Sequence, residues 1–247
     1  MKRFLSGTLW SMGYLGAYLG LTYLMAGISP GFPALDNLAG QYILTALAFL
    51  ALLFLIHRKE LFRRGWFAAP GKGDARHALG LAAAGVLLVT LAISYLFPNF
   101  FQSLFPKELE EAFGQLAAEG VGYLYLIVGI LGPVMEEILF RGAILSRLKS
   151  WPLGGIILSS LLFALFHLNL YQGSYSFFLG LLLGYVAYRG GSLWLPILLH
   201  VAYNILSGLF NSLPPETLDF LYIQSFAAPI LGGILLAAGL RHFRKNS

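Results

Sequence analysis

The stretch Gly132-Pro133-Val134-Met135-Glu136-Glu137-Ile138-Leu139-Phe140-Arg141-Gly142 sets two adjacent carboxylates and a guanidinium inside one of the most apolar parts of the chain. A charged side chain near a bilayer centre costs about 2.5–3.5 kcal/mol on insertion scales, so an ionisable cluster at that depth marks a functional site. Working outward, uncharged runs extend from Gly120 to Met135, Gly142 to Ser146, Ser150 to Tyr188 and Gly190 to Pro215. Others run from Phe4 to Leu35, Asn37 to Ile56, His77 to Gln102 and Phe220 to Leu240. With 58% hydrophobic and 11% charged residues, the chain carries more apolar surface than a soluble core absorbs. A helix needs about 20 residues to span the hydrocarbon. The runs therefore predict an all-α polytopic bundle of about eight spans, near 5–27, 37–56, 78–97, 121–146, 153–170, 174–188, 192–210 and 220–240.

Eight spans place both termini on one side and assign every loop. With the termini cytoplasmic, fourteen of the sixteen Lys and Arg residues fall inside: Lys2, Arg3, Arg58, Lys59, Arg63, Arg64, Lys72, Arg76, Arg147, Lys149, Arg189, Arg241, Arg244 and Lys245. The outer loops hold Lys107 with Asp36, Glu108, Glu110, Glu111, Glu119, Glu216 and Asp219, and Arg141 lies within a span. This asymmetry follows the positive-inside rule and predicts a multi-pass protein of the plasma membrane with both ends cytoplasmic. The net charge of +5 is a topology signal, and no nucleic-acid partner is expected, because the basic residues are scattered over loops and not interleaved with exposed aromatics. Lys2-Arg3 and the apolar run after them resemble a signal sequence, but the run is too long and lacks a small-x-small cleavage site, so a retained first helix is expected. The chain has no Cys, which leaves no disulfide framework, thiolate metal site or thiol nucleophile.

Three parts are expected: residues 1–120 with the first three helices, 121–210 with helices four to seven, and 211–247 with the last helix and a basic tail. His57 to His77 reads as a solvated cytoplasmic basic loop with interfacial aromatics. Pro106 to Glu119 carries Leu109, Phe113 and Leu116 at helical spacing and reads as an amphipathic surface helix on the outer side. Gly16-x-x-x-Gly20 and Gly180-x-x-x-Gly184 predict close internal helix packing and assign no oligomeric state.

Glu137 and Arg141 lie within about 40° of each other on one helix face, so they can pair, with the guanidinium gripping the carboxylate through two bonds. Glu136 is rotated by about 100° toward a different environment and is suited to act as a base. Pro133 removes one backbone hydrogen bond of the same helix. His167 follows Phe163 by one turn on the fifth span, and His200 and Asn204 share a face of the seventh. Counted from the cytoplasmic ends, Glu136, His167, His200 and Asn204 lie about 17, 21, 12 and 18 Å deep. Three helices thus bring polar groups to one layer, which points to a shared water-filled site over independent polar clamps between helices.

Glu136-Glu137-x-x-x-Arg141, Phe163-x-x-x-His167 and His200-x-x-x-Asn204, in that order and each inside a span, resemble the three motifs of the CPBP family, over roughly Gly132 to Asn204. That family includes CAAX prenyl endopeptidases and the bacteriocin-processing and immunity-type intramembrane proteases. The resemblance implies an intramembrane endopeptidase in which Glu136 and His167 hold and activate a water. It implies further that His200 and Asn204 stabilise the oxyanion, with Glu137, Arg141 and Phe163 in support. Family members are commonly described as metalloproteases, and Glu136, His167 and His200 are a chemically reasonable zinc set. A glutamate-activated water accounts for every polar residue without an ion, and no His-Glu-x-x-His helix is present, so no cofactor is expected. The expected partners are the lipid bilayer and a membrane-associated peptide or protein, entering extended or locally unwound from the cytoplasmic half. Two rival readings are a proton-coupled transporter, which the absence of similarity between the two halves disfavours, and a noncatalytic membrane scaffold.

Overall fold

The computed structural model describes residues 2–29, 37–63, 66–148, 151–220 and 227–245, and their regular structure is helical throughout. Asp36, Arg64 and Lys149, used above to orient the chain, and residues 221–226 of the eighth expected span lie outside the described residues. In chain order the helices are α1 Lys2–Ile28, α2 Leu38–Arg63, α3 Lys72–Leu91 with a π-helical continuation Ala92–Leu96, α4 Pro98–Leu104 and α5 Lys107–Glu119. There follow α6 Val121–Leu148, α7 Pro152–Phe166, α8 Leu170–Gly190, α9 Trp194–Asn211, α10 Pro215–Asp219 and α11 Ala227–Lys245. Among the described residues, four segments are long and apolar enough to cross a membrane: Leu38–Arg58, Lys72–Leu96, Val121–Leu148 and Trp194–Asn211. The molecule is an all-α polytopic membrane protein. Each of the eight expected spans overlaps one helix, and four of these helices have the length and composition that crossing requires.

Local chemistry places the boundaries. Proline begins α4, α7 and α10, where its missing N–H is harmless. The fifth span ends earlier than expected, at Phe166, because Leu168 takes a left-handed φ of 55° and Asn169 caps α8 by accepting from the Gln172 amide at 2.7 Å. The amphipathic α5 is tied down at its end: the two carboxylate oxygens of Glu119 accept from the Leu38 and Ala39 amides, each at 2.9 Å, at the positive N-terminus of α2. Leu116 is buried beside Ala39 and Ile127.

The segment His57 to His77 departs from the solvated loop expected of it. Helix α2 runs on to Arg63, α3 begins at Lys72, and both His57 and Trp66 are buried. Leu193 N donates to the Trp66 carbonyl at 2.6 Å, Ser192 Oγ to that of Ala68 at 2.7 Å, and Trp194 Nε1 to that of Phe67 at 3.1 Å. The turn between α8 and α9 thus supplies the donors that water was expected to supply. The Trp66 ring lies against Gly142, where a Cβ would come within 2.8 Å of it.

Two large apolar clusters fill much of the described interior. One joins Phe49 and Leu53 of α2 to Met135, Leu139 and Phe140 of α6 and Phe163 of α7. The other joins Leu81 of α3 to Leu183 of α8, Leu199 and Tyr203 of α9 and Phe243 of α11. The polar residues singled out above lie on α6, at the C-terminal end of α7 and on α9, helices that contribute to these clusters.

Candidate active site

Helix α6 is not a uniform α-helix. Two π-helical stretches, Tyr125–Leu131 and Ile138–Ile144, bracket the α-helical Gly132–Glu137 that carries the glutamates. In the i→i+5 register of a π turn the Val128 carbonyl looks to residue 133 for its donor, and Pro133 has no N–H. Asn204 of α9 supplies it instead, donating from Nδ2 at 2.8 Å. Pro133 and Asn204 are therefore linked through a carbonyl that neither identifies alone.

The two carboxylates occupy distinct environments. Glu137 is fully buried, whereas the Glu136 side chain is 14% exposed. Arg141, itself buried, donates from Nη1 to Glu137 Oε1 at 3.0 Å. The two-bonded grip expected from the sequence is not formed. Arg141 Nη2 turns to the Gly180 carbonyl at 3.1 Å, and its Nε and Glu137 Oε2 are buried without a hydrogen-bond partner among the described residues. The reason is competition for one oxygen: His200 Nδ1 also reaches Glu137 Oε1, at 2.9 Å. A carboxylate accepts only, so Nδ1 carries a proton and Nε2 faces away from Glu137, standing 3.8 Å from Glu136 Oε2. His200 consequently bridges the adjacent glutamates.

Phe163 organises the remainder. The guanidinium carbon of Arg141 sits 4.7 Å over its ring centre, and the ring meets those of His200 at 5.6 Å and His167 at 5.0 Å edge to face. His167 joins the cluster through this ring and makes no direct ion pair with Glu136 among the described residues. Its Nδ1 donates to the Phe163 carbonyl at 2.9 Å, which leaves Nε2 as the acceptor face, 3.5 Å from Ser176 Oγ. Among the described residues Asn204 makes no hydrogen bond to the other motif residues; one of its two amide hydrogens serves the Val128 carbonyl.

The sequence reading missed several members of the site. Gly180 and Ser176 of α8 belong to a stripe of small residues, Gly173, Ser176, Gly180 and Gly184, whose three- and four-residue spacing was legible as packing only. A Cβ on Gly180 would lie 3.0 Å from Ser160 Cβ and 3.2 Å from the Phe163 ring, so the close approach of α7 and α8 brings the Gly180 carbonyl to Arg141. Tyr18 of α1 and Tyr175 of α8 stand within electrostatic range of Glu136, and nothing in their sequence context announced it.

The model of the family described as Type II CAAX prenyl endopeptidase Rce1-like matches residues 119–206, a segment that holds every motif residue from Glu136 to Asn204. An uncharacterized 24.3 kDa protein of Escherichia coli is 30% identical over 183 residues, which cover 68% of this chain and 78% of that protein. No solved structure is significantly similar. The chain belongs to the Rce1-like family of type II CAAX prenyl endopeptidases. That is a family of intramembrane proteases, whose substrates are peptides in or at the membrane.

Proposed function

We propose that this protein is an endopeptidase of the plasma membrane, with both termini cytoplasmic, that hydrolyses a peptide bond of a membrane-associated peptide or protein by a glutamate-activated water. The observation that carries the reading is the division of labour between the glutamates. Glu137 is buried and already bonded, whereas Glu136 is the partly exposed carboxylate with room to take a proton. In this reading Glu136 is the base and His167 Nε2 helps to orient the water. The second amide hydrogen of Asn204 meets the oxyanion of the tetrahedral intermediate, and His200 joins it as a donor once its Nε2 carries a proton.

A metal-activated water would draw on Glu136, His167 and His200. These donors are right in kind, but no three His, Asp or Glu side chains among the described residues are gathered closely enough to hold an ion, so no step is routed through one. The test is purified protein in lipid with a library of membrane-anchored peptides, assayed beside metal analysis of the same preparation. Cleavage that Glu136→Gln abolishes, in a variant that expresses and unfolds like the parent, supports the reading. Undiminished turnover in that variant removes Glu136 from the mechanism. About one metal per chain, with activity tracking its content and restored by Zn²⁺ after chelation, replaces the metal-free mechanism.

A further inference from the structure

We infer that Glu137 and His200 form a proton-carrying dyad: His200 receives the proton that Glu136 removes from water and delivers it to the leaving amide nitrogen, with Glu137 as its positioning residue. The inference rests on the protease reading above and adds the acid that the reading lacks, since hydrolysis of an amide needs a proton on nitrogen as well as a base on water.

The geometry carries it. Glu137 Oε1 holds Nδ1–H of His200 at 2.9 Å, which sets the tautomer and leaves the Nε2 lone pair, on the far side of the ring, 3.8 Å from Glu136 Oε2. That gap closes with a small side-chain movement. Glu137 is held from its other side by Arg141 on the same oxygen, and Phe163 packs edge to face against the imidazole at 5.6 Å, so the ring has little freedom to turn away. A buried carboxylate behind Nδ1 with a reacting group before Nε2 is the arrangement by which a carboxylate orients an imidazole and stabilises its protonated form in hydrolytic triads. The same contact speaks against His200 as a simple oxyanion donor. Its Nδ1 hydrogen is engaged, and neutral Nε2 has none, so donation to substrate begins only after a proton has arrived.

The proton count closes. Glu136 takes a proton from water as the water oxygen bonds to the carbonyl carbon and the carbonyl π pair moves to oxygen. Glu136 passes that proton to Nε2, giving an imidazolium whose Nδ1–H stays on Glu137. The oxyanion collapses, the C–N bond breaks with its pair going to nitrogen, and nitrogen takes the proton from Nε2. Glu136 is again a carboxylate, His200 is again neutral, and one water has been added across the peptide bond.

The experiment compares two substrates, one membrane-anchored peptide and its analogue with the scissile amide replaced by an ester. An ester departs with far less need of an acid, but its oxyanion needs the same stabilisation. On the amide, His200→Gln is expected to lose about 10²–10⁴ in kcat, the range of a positioned proton donor, and on the ester at least about tenfold less than that. Asn204→Ala is expected to lose about 10²–10³ on both alike, as an oxyanion donor does. Glu137→Gln should follow the His200 pattern, with kcat falling on the amide, KM within a few-fold and the ester relatively spared; a merely structural glutamate would depress both substrates together. Equal losses on amide and ester in both His200→Gln and Glu137→Gln overturn the dyad. Where His200→Gln does not fold, Glu137→Gln alone decides in the same way. A parent protein that cleaves neither substrate sinks the protease reading, and with it the dyad.

Discussion

Arg141 combines three kinds of contact in one side chain: a bond to Glu137, a bond to the Gly180 carbonyl on another helix, and a face-on contact with the Phe163 ring. A guanidinium can do all three because its donors fan out in a plane that also stacks, and an ammonium cannot. Removing it leaves Glu137 as a buried carboxylate with His200 as its remaining partner among the described residues, and a buried pair broken on one side costs roughly 3–5 kcal/mol. Arg141→Ala is therefore expected to lower the unfolding temperature in detergent as well as activity, and Arg141→Lys to fold better than Ala yet stay impaired, since Lys keeps the charge and loses the fork. Thermal unfolding of the three proteins side by side checks this. Parent-like stability in Arg141→Ala would mean that the ion pair contributes nothing to the fold.

The elements differ in how closely they tolerate neighbours. Helix α8 presents Gly180 and Gly184 to α7, where a Cβ at Gly180 would meet Ser160 and Phe163 and one at Gly184 would lie 3.1 Å from Ile156. Gly16 and Gly20, with the same four-residue spacing on α1, have nothing within 4 Å among the described residues. The intrinsic helical gain of Gly→Ala, about 0.8–1 kcal/mol, is common to both helices. At Gly16 no described neighbour opposes it. At Gly180 the crowding outweighs it, with overpacking losses of about 1–3 kcal/mol. Gly16→Ala is thus expected to leave stability equal or higher, and Gly180→Ala to lower it and to reduce activity by shifting the carbonyl that Arg141 holds. Unfolding midpoints and peptide turnover of the two variants measure the difference; identical behaviour would show that the α7–α8 contact is not tight.

At the scale of the whole molecule the absence of Cys is an experimental asset. Single cysteines at Lys107, Glu111 and Arg244 are expected to label from opposite faces: the first two from outside, the last from the cytoplasm, as the charge asymmetry requires. Labelling of positions 107 and 244 from one face would reverse the topology and move the access route of the substrate with it. The sequence by itself determined that the chain is a helical membrane protein, and it singled out Glu136, Glu137, Arg141, His167, His200 and Asn204 as candidate polar residues within its spans. Those properties are local, because apolar length, loop charge and the cost of a buried ion can be read one segment at a time. Only the tertiary structure decided which donor meets which acceptor. It set Arg141 and His200, 63 residues beyond Glu137, on the same carboxylate oxygen, gave Asn204 the carbonyl that Pro133 leaves unpaired, and laid Trp66 over Gly142. These pairings depend on how far each helix is turned about its axis and how closely its neighbour approaches. In a chain apolar on nearly every face no hydrophobic periodicity records that rotation, so it is settled by the packing of small residues against rings once the helices stand together.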